Sequence, residues 1–330
     1  MNALTLRRAI LDAAEYVPFY RRHWKQAGVD LTRVYSATHL EFLPTVTRTD
    51  LLNCPPEDRL DRRYRGHSLL GEPTFAASGE EFEIPLDNRT QRRRRMRFWN
   101  ALRDVGYLPG ERLMLISEKP LAAGASLLRW THAYTALTEE ALFERYMRAR
   151  PSVLCGPLSA LTRIAAGIAE CGETIGFPRL VVSTSEHLTD AKRALLESTC
   201  RANVADFYST PELGVVAYSK PGVPGYRLLS DEFHIETLHS VGPRGGPERL
   251  LVTDLVSAAM PLIRFDTGDF ALPDLARSRA LAPTSILGFT SREPVWADRR
   301  GRALQGPSRE LAGTGPGNPG LANAFVSGSI

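Results

Sequence analysis

Residues 152–208 read SVLCGPLSALTRIAAGIAECGETIGFPRLVVSTSEHLTDAKRALLESTCRANVADFY. Short apolar runs alternate there with stretches of helical period: SVLCG (152–156), a helix from Pro157 to Cys171, RLVVS (179–183), a helix capped by Thr189, then NVADFY (203–208). Pro157 suits the first turn of a helix, where backbone N–H groups have no partner anyway, and Gly172 stops that helix. Upstream, LMLIS (113–117) and a helix from about Thr138 to Arg150 continue the pattern. Thr138 is its N-cap, and Glu139 and Glu140 lie at the positive end of the helix dipole. Strand–helix–strand alternation with short loops predicts an α/β fold built on a doubly wound parallel sheet.

On the amino-terminal side, Leu4, Ile10, Leu11, Ala14 and Val17 recur near helical spacing from Ala3 to Gln26, and Pro18 interrupts them. Residues 27–75 are loop-rich, with Pro55-Pro56 and many charges, so 1–75 is expected to wrap a core built by 76–212. After Leu213 the pattern changes to VVAY (215–218), YRLLS (226–230), FHIETL (233–238) and RLLVTDL (249–255), separated by Gly/Pro-rich turns. These runs predict an antiparallel β-subdomain over 213–311. The stretch 312–330, AGTGPGNPGLANAFVSGSI, has no charge and reads as a flexible tail.

Composition narrows the function classes. Of 330 residues, 43% are hydrophobic and 24% charged, near the globular average. Lys plus Arg number 41 against 37 Asp plus Glu, and a net +4 over this length makes no field that would attract nucleic acid. Cys54, Cys155, Cys171 and Cys200 form no CxxC pair, which argues against a zinc site or a disulfide framework. No apolar run approaches the length needed to span a bilayer, so a soluble, cytoplasmic protein with reduced thiols is expected. There is no HExxH and no GxSxG.

In an open parallel sheet, ligands bind outside the carboxyl ends of the strands, where loops and helix N-termini supply free N–H groups. Ser183-Thr184-Ser185-Glu186 follows one predicted strand and Tyr208-Ser209-Thr210-Pro211-Glu212 the next, each offering hydroxyls and a carboxylate. His187, beside Glu186, reads first as a loop histidine and second as a general base.

The order FYSTPELG (207–214), YRLLSDEFHIE (226–236) and ERLLVTDLVSAAMPLIRFDTGD (248–269) resembles the adenylate-forming ligases of the phenylacetate-CoA ligase and CapK-like group. YVPFYRRHW (16–24), LPTVTRTDL (43–51) and RPSVLCGPLSAL (150–161) extend the resemblance over about residues 16–310, and MPLIRFDTGD stands against that family's MPLIRYRTGD. The resemblance implies ATP or AMP as nucleotide and Mg²⁺ as metal. It also implies a carboxylic acid substrate, with CoA, a carrier protein or an amine as acceptor. It places Tyr208 on adenine, Thr210 and Glu212 in the catalytic group with Glu212 as the Mg²⁺ ligand, Asp269 on the ribose hydroxyls and Arg292 beside ribose and phosphate. Ser185 and Glu186 fall where the family's backbone approaches adenine.

Departures from that pattern matter as much. The family's phosphate loop, approximately TSGSTGxP, here reads AASGEEFEIP (76–85), about three residues shorter, with Glu80 and Glu81 where small hydroxyl residues belong. Carboxylates there repel a triphosphate, and a lost N–H nest removes anion ligands. Thr184-Ser185 replaces the glycines before Glu186, Pro294 and Val295 stand where a hinge aspartate is expected, and the final residues leave no room for the small domain that carries the family's catalytic lysine. Two functions follow: an acid-activating ligase, or a protein of the same fold that no longer adenylates, binding a partner or acting on a pre-activated acyl substrate. Arg264 is read equally as a strand tie or a ligand contact. The run Arg92 to Arg95 with Arg97 is read as a solvated helix face, Arg95 lying near the apolar side where it either snorkels or offsets Glu80 and Glu81. Acyl-pocket residues are sought in Leu121–Tyr134.

Overall fold

The computed structural model describes residues 3–34, 37–75, 81–118, 130–172, 176–238, 248–273, 285–290, 296–297 and 303–304. In chain order, α1 (Ala3–Tyr16), α2 (Pro18–Gln26), α3 (Arg48–Leu52) and α4 (Pro56–Arg59) precede β1 (Leu70–Phe75), β2 (Glu81–Leu86) and α5 (Asn88–Asp104). Then come β3 (Leu113–Ser117), β4 (Trp130–Tyr134), α6 (Glu139–Ala149), β5 (Val153–Pro157), α7 (Leu158–Cys171), β6 (Leu180–Thr184), α8 (Asp190–Cys200) and β7 (Asn203–Thr210). Strands β8 (Gly214–Ser219), β9 (Tyr226–Leu228), β10 (Phe233–Leu238), β11 (Glu248–Asp254), β12 (Phe265–Pro273), β13 (Ser285–Thr290), β14 (Trp296–Ala297) and β15 (Ala303–Leu304) complete the series.

The chain divides into two compact units. One comprises the described residues within Met1–Gly71, Phe75–Thr90 and Arg227–Pro316; the other comprises those within Glu72–Thr74 and Gln91–Tyr226.

The second unit holds the doubly wound sheet. Its strands run in the order β4-β3-β5-β6-β7-β8, parallel from β4 to β7, with β8 returning antiparallel to β7. One sheet face carries Met114, Ile116, Leu154, Val181 and Val204, all at 2% exposure or less, against Leu142 and Tyr146 of α6, Leu161 and Ile164 of α7, and Leu196 of α8. Removing a side chain of this size from water contributes about 1.5–3 kcal/mol. The opposite face meets α5, where Phe98 packs edge-on to Phe207 and Trp99 stacks on Trp130 with centroids 4.4 Å apart. The helix signals function as read. Thr138 and Thr189 accept from the backbone N–H three residues on, and Gly172 closes α7 at φ +65°. Strand β4 went unread because WTHAY, at the sheet edge, is mostly half-buried and polar.

The first unit is a meander of β10, β11, β12 and β13, antiparallel throughout. Tyr20 of α2 is buried, its hydroxyl donating to the Pro261 carbonyl and accepting from Ile263 N–H. Val46 exchanges backbone bonds with Arg264 and Asp266, so the amino-terminal segment is tied to β12. Arg264, buried at φ +50°, donates to Glu236 at 3.1 Å and to the Leu43 carbonyl, which makes it a strand tie.

Candidate functional site

The carboxyl end of β7 is a tight turn. Thr210 and Gly214 face each other across the β7–β8 pair, and Leu213 N–H donates to both the carbonyl and the Oγ1 of Thr210. Gly214 sits at φ +70°, a left-handed conformation that suits glycine. Tyr208 is half-buried, while Thr210 and Glu212 are 2% and 1% exposed.

What holds this turn overturns the expectation of a solvated arginine face. Arg94 and Arg97 are 1% and 3% exposed. Arg94 Nη1 donates to the Pro211 carbonyl at 2.8 Å and to Glu72 Oε2 at 3.1 Å, and Arg94 Nη2 donates to the Glu212 carbonyl. Arg97 Nη1 reaches the Leu213 carbonyl at 3.0 Å. Three consecutive carbonyls of Pro211-Glu212-Leu213 thus take guanidinium donors from α5. Four residues of helix turn by about 400°, so Arg94 lies above Phe98 on the buried face. That spacing was the available signal, masked by the arginines around it. Arg92 and Arg93 are exposed, and the half-buried Arg95 donates to Gln91 at 2.9 Å.

The carboxyl end of the neighbouring β6 is built differently. Ser185 adopts φ +69° without being glycine, and Glu186 turns back to receive Ser159 N–H at 2.9 Å and Ser159 Oγ at 2.6 Å, so its carboxylate caps the start of α7. His187 is exposed. Further along the same sheet edge, Ser117 and His132 share a hydrogen bond of 2.7 Å; burial, with Arg145 nearby, pushes the imidazole down to about 4, so it is neutral at pH 7. Two residues before Tyr208, buried Asp206 accepts from Tyr226 Oη at 2.5 Å, and burial raises its carboxyl to about 6.

Asp269 belongs to the first unit. There β12 bulges against β11: Leu251 pairs with Asp266 and Arg249 with Phe270, Gly268 takes φ +80°, and half-buried Asp269 donates its N–H to Thr267 Oγ1 at 3.2 Å. Bulges of this kind re-aim side chains. Asp266 is buried and ion-paired with Arg249. Arg292, Pro294, Val295, Glu80, and the 121–129 part of the sought acyl pocket lie outside the described residues, as does the tail.

Family models give no match to the chain, and no curated protein matches it. Solved structures do. A 2-hydroxyisobutyryl-CoA ligase in the postadenylation state with 2-HIB-AMP superimposes with a TM-score of 0.73, at 20% identity over 92% of this chain and 69% of that one. The fold is that of the adenylate-forming ligases. An open form of the same ligase with 2-HIB-AMP and CoA gives a TM-score of 0.70 at 19% identity, covering 87% of this chain and 71% of that one. The amide bond synthetase McbA from Marinactinospora thermotolerans gives 0.50 at 14% identity, covering 69% and 49%.

Among the described residues, no three His, Cys, Asp or Glu side chains are grouped to hold a metal ion. A site with a single carboxylate suits Mg²⁺ only when other oxygens, such as those of a phosphate, complete the shell. Among the described residues no helix is long and apolar enough to cross a membrane.

Proposed function

We propose that the chain is an adenylate-forming ligase-like enzyme of the cytoplasm, in the phenylacetate-CoA ligase and CapK-like group, which activates a carboxylic acid with ATP. The observation that carries this reading is the β7 turn, a carboxylate-bearing TPELG segment whose backbone two buried arginines hold, set on a fold shared with a ligase solved with an acyl-AMP. An oxygen of the acid attacks the α-phosphorus, the bond to pyrophosphate breaks, and an acyl-AMP forms. This chemistry needs positioning and charge neutralisation more than a protein nucleophile. By the sequence resemblance, Tyr208 would stack on adenine with Ser185 and Glu186 bordering it, Asp269 would accept the ribose hydroxyls, and Arg292 would serve ribose and phosphate. Glu212 would hold Mg²⁺, and the metal would supply neutralisation of phosphate charge. Thr210 Oγ1 accepts from Leu213 N–H and keeps its proton to donate. CoA, a carrier protein or an amine takes the acyl group; the ligase and amide synthetase neighbours support this range of acceptors.

A second reading rests on β6. Ser185 holds a left-handed conformation where the resemblance implies glycine, and Glu186 is committed to α7. In that reading the protein binds a partner or a pre-activated acyl substrate and does not adenylate. Calorimetric titration with ATP and with AMP, each with Mg²⁺, separates the two. Micromolar binding, lost in Asp269→Ala, with carboxylate-dependent ATP–pyrophosphate exchange lost in Glu212→Ala, supports the ligase. No heat with either nucleotide from a folded protein refutes it.

A further inference from the structure

We infer that Arg94, oriented by Glu72, is a positioning residue that sets the Glu212 turn in its metal-binding shape; the metal part of this inference rests on the ligase reading above. Nothing in the sequence resemblance assigns a role to either residue.

Taking a guanidinium out of water is costly unless its charge and donors are matched. Arg94, at 1% exposure, meets Glu72, itself 2% exposed, and donates to the Pro211 carbonyl from Nη1 and to the Glu212 carbonyl from Nη2, while its buried Nε–H makes no hydrogen bond among the described residues. Pro211 has no N–H, and Leu213 N–H closes the turn from within by donating to Thr210. The planar fork of an arginine can bind two successive carbonyls and a carboxylate at fixed angles, which the point charge of a lysine cannot. Glu72 holds Nη1, the same nitrogen that donates to the Pro211 carbonyl. Gly214 completes the arrangement: a Cβ there would lie 3.4 Å from Arg94 Cγ, so the returning strand passes directly over the arginine stem. Arg97 adds the third carbonyl, that of Leu213, from the next turn of the same helix. The backbone on both sides of the Glu212 Cα is therefore referenced to α5.

The test compares the full chain with Arg94→Lys, which keeps the charge and loses the fork, and Glu72→Gln, which keeps the guanidinium and loses its orienting charge. Hydrogen exchange by mass spectrometry reports the peptide covering 209–214, and calorimetry reports ATP binding with Mg²⁺ and with EDTA. The expected result is exchange at least tenfold faster in that peptide, with β3, β5 and β6 peptides unchanged, and Mg²⁺–ATP binding at least tenfold weaker while Mg²⁺-free binding moves less than twofold. Unchanged exchange at 209–214 in both variants overturns the inference. So does Arg94→Lys binding Mg²⁺–ATP like the wild type, since a merely electrostatic support would be rescued by lysine, and so does equal loss with and without Mg²⁺. If the wild type binds no nucleotide in either condition, the ligase reading and the metal half of the inference fall, and exchange still decides whether Arg94 sets the turn.

Discussion

The carboxyl ends of β6 and β7 are neighbours in one sheet, yet they solve the same backbone problem in opposite ways. Both need a residue with positive φ. After β7 the chain supplies Gly214, and the turn before it is referenced to Arg94 and Arg97. After β6 it supplies Ser185, and the next side chain, Glu186, serves the start of α7. One end spends buried charge to hold its own shape; the other accepts strain and spends its carboxylate on a helix. Secondary-structure position alone therefore does not make two loops equivalent as ligand sites.

The largest effect that would sharpen this contrast is expected in Arg94→Met. Removing the guanidinium takes an ion pair from buried Glu72 and frees two carbonyls, and chemical denaturation should show a loss of about 3–5 kcal/mol. A loss below about 1 kcal/mol would mean that the β7 turn stands without its clamp.

Next comes Asp206→Asn, on β7 itself. Burial raises the folded-state carboxyl to about 6, above its unfolded value of 3.8, so the wild type favours the protonated form and loses stability as pH rises through that interval. Asparagine cannot ionise and still accepts from Tyr226. The variant should match the wild type near pH 4 and exceed it by an amount on the order of 3 kcal/mol at pH 8. A stability difference independent of pH would remove Asp206 from the picture.

Gly214→Ala forces a side chain into the left-handed region and against Arg94, for an expected cost of about 1–2 kcal/mol in thermal or urea unfolding. The smallest effect points the other way. Ser185→Gly relieves its strain and should gain up to about 1 kcal/mol, reduced by the extra freedom of glycine in the unfolded chain. If Ser185→Gly destabilises, the serine makes contacts that outweigh its backbone, and the two strand ends are more alike than they look.

Much of the second unit was legible because its strands are short, apolar and punctuated: β3, β5, β6 and β7 fall on the runs read from residues 113–208, and Thr138, Thr189 and Gly172 mark real helix ends. Strand β12 was visible as a motif, MPLIRFDTGD, but not as a strand, since Thr267, Gly268 and Asp269 form a bulge that breaks period-two alternation. At the β7 turn, Thr210 and Glu212 stand out in sequence as chemical residues, while the residues that hold the turn do not. Glu72 lies far from Glu212 in sequence and matters through a contact that only folding makes. Arg94 hid in plain view, because five arginines within six positions read as a charge run, and charge runs usually face water.

That run also has a chemical signature. To a dicarbonyl reagent that modifies guanidinium groups in the native protein, 92–97 should not behave as five arginines: Arg92 and Arg93 stand open, whereas Arg94 and Arg97 are sealed until the fold gives way. The ratio of fast to slow modification along one helix becomes a built-in gauge of how often this part of the protein opens.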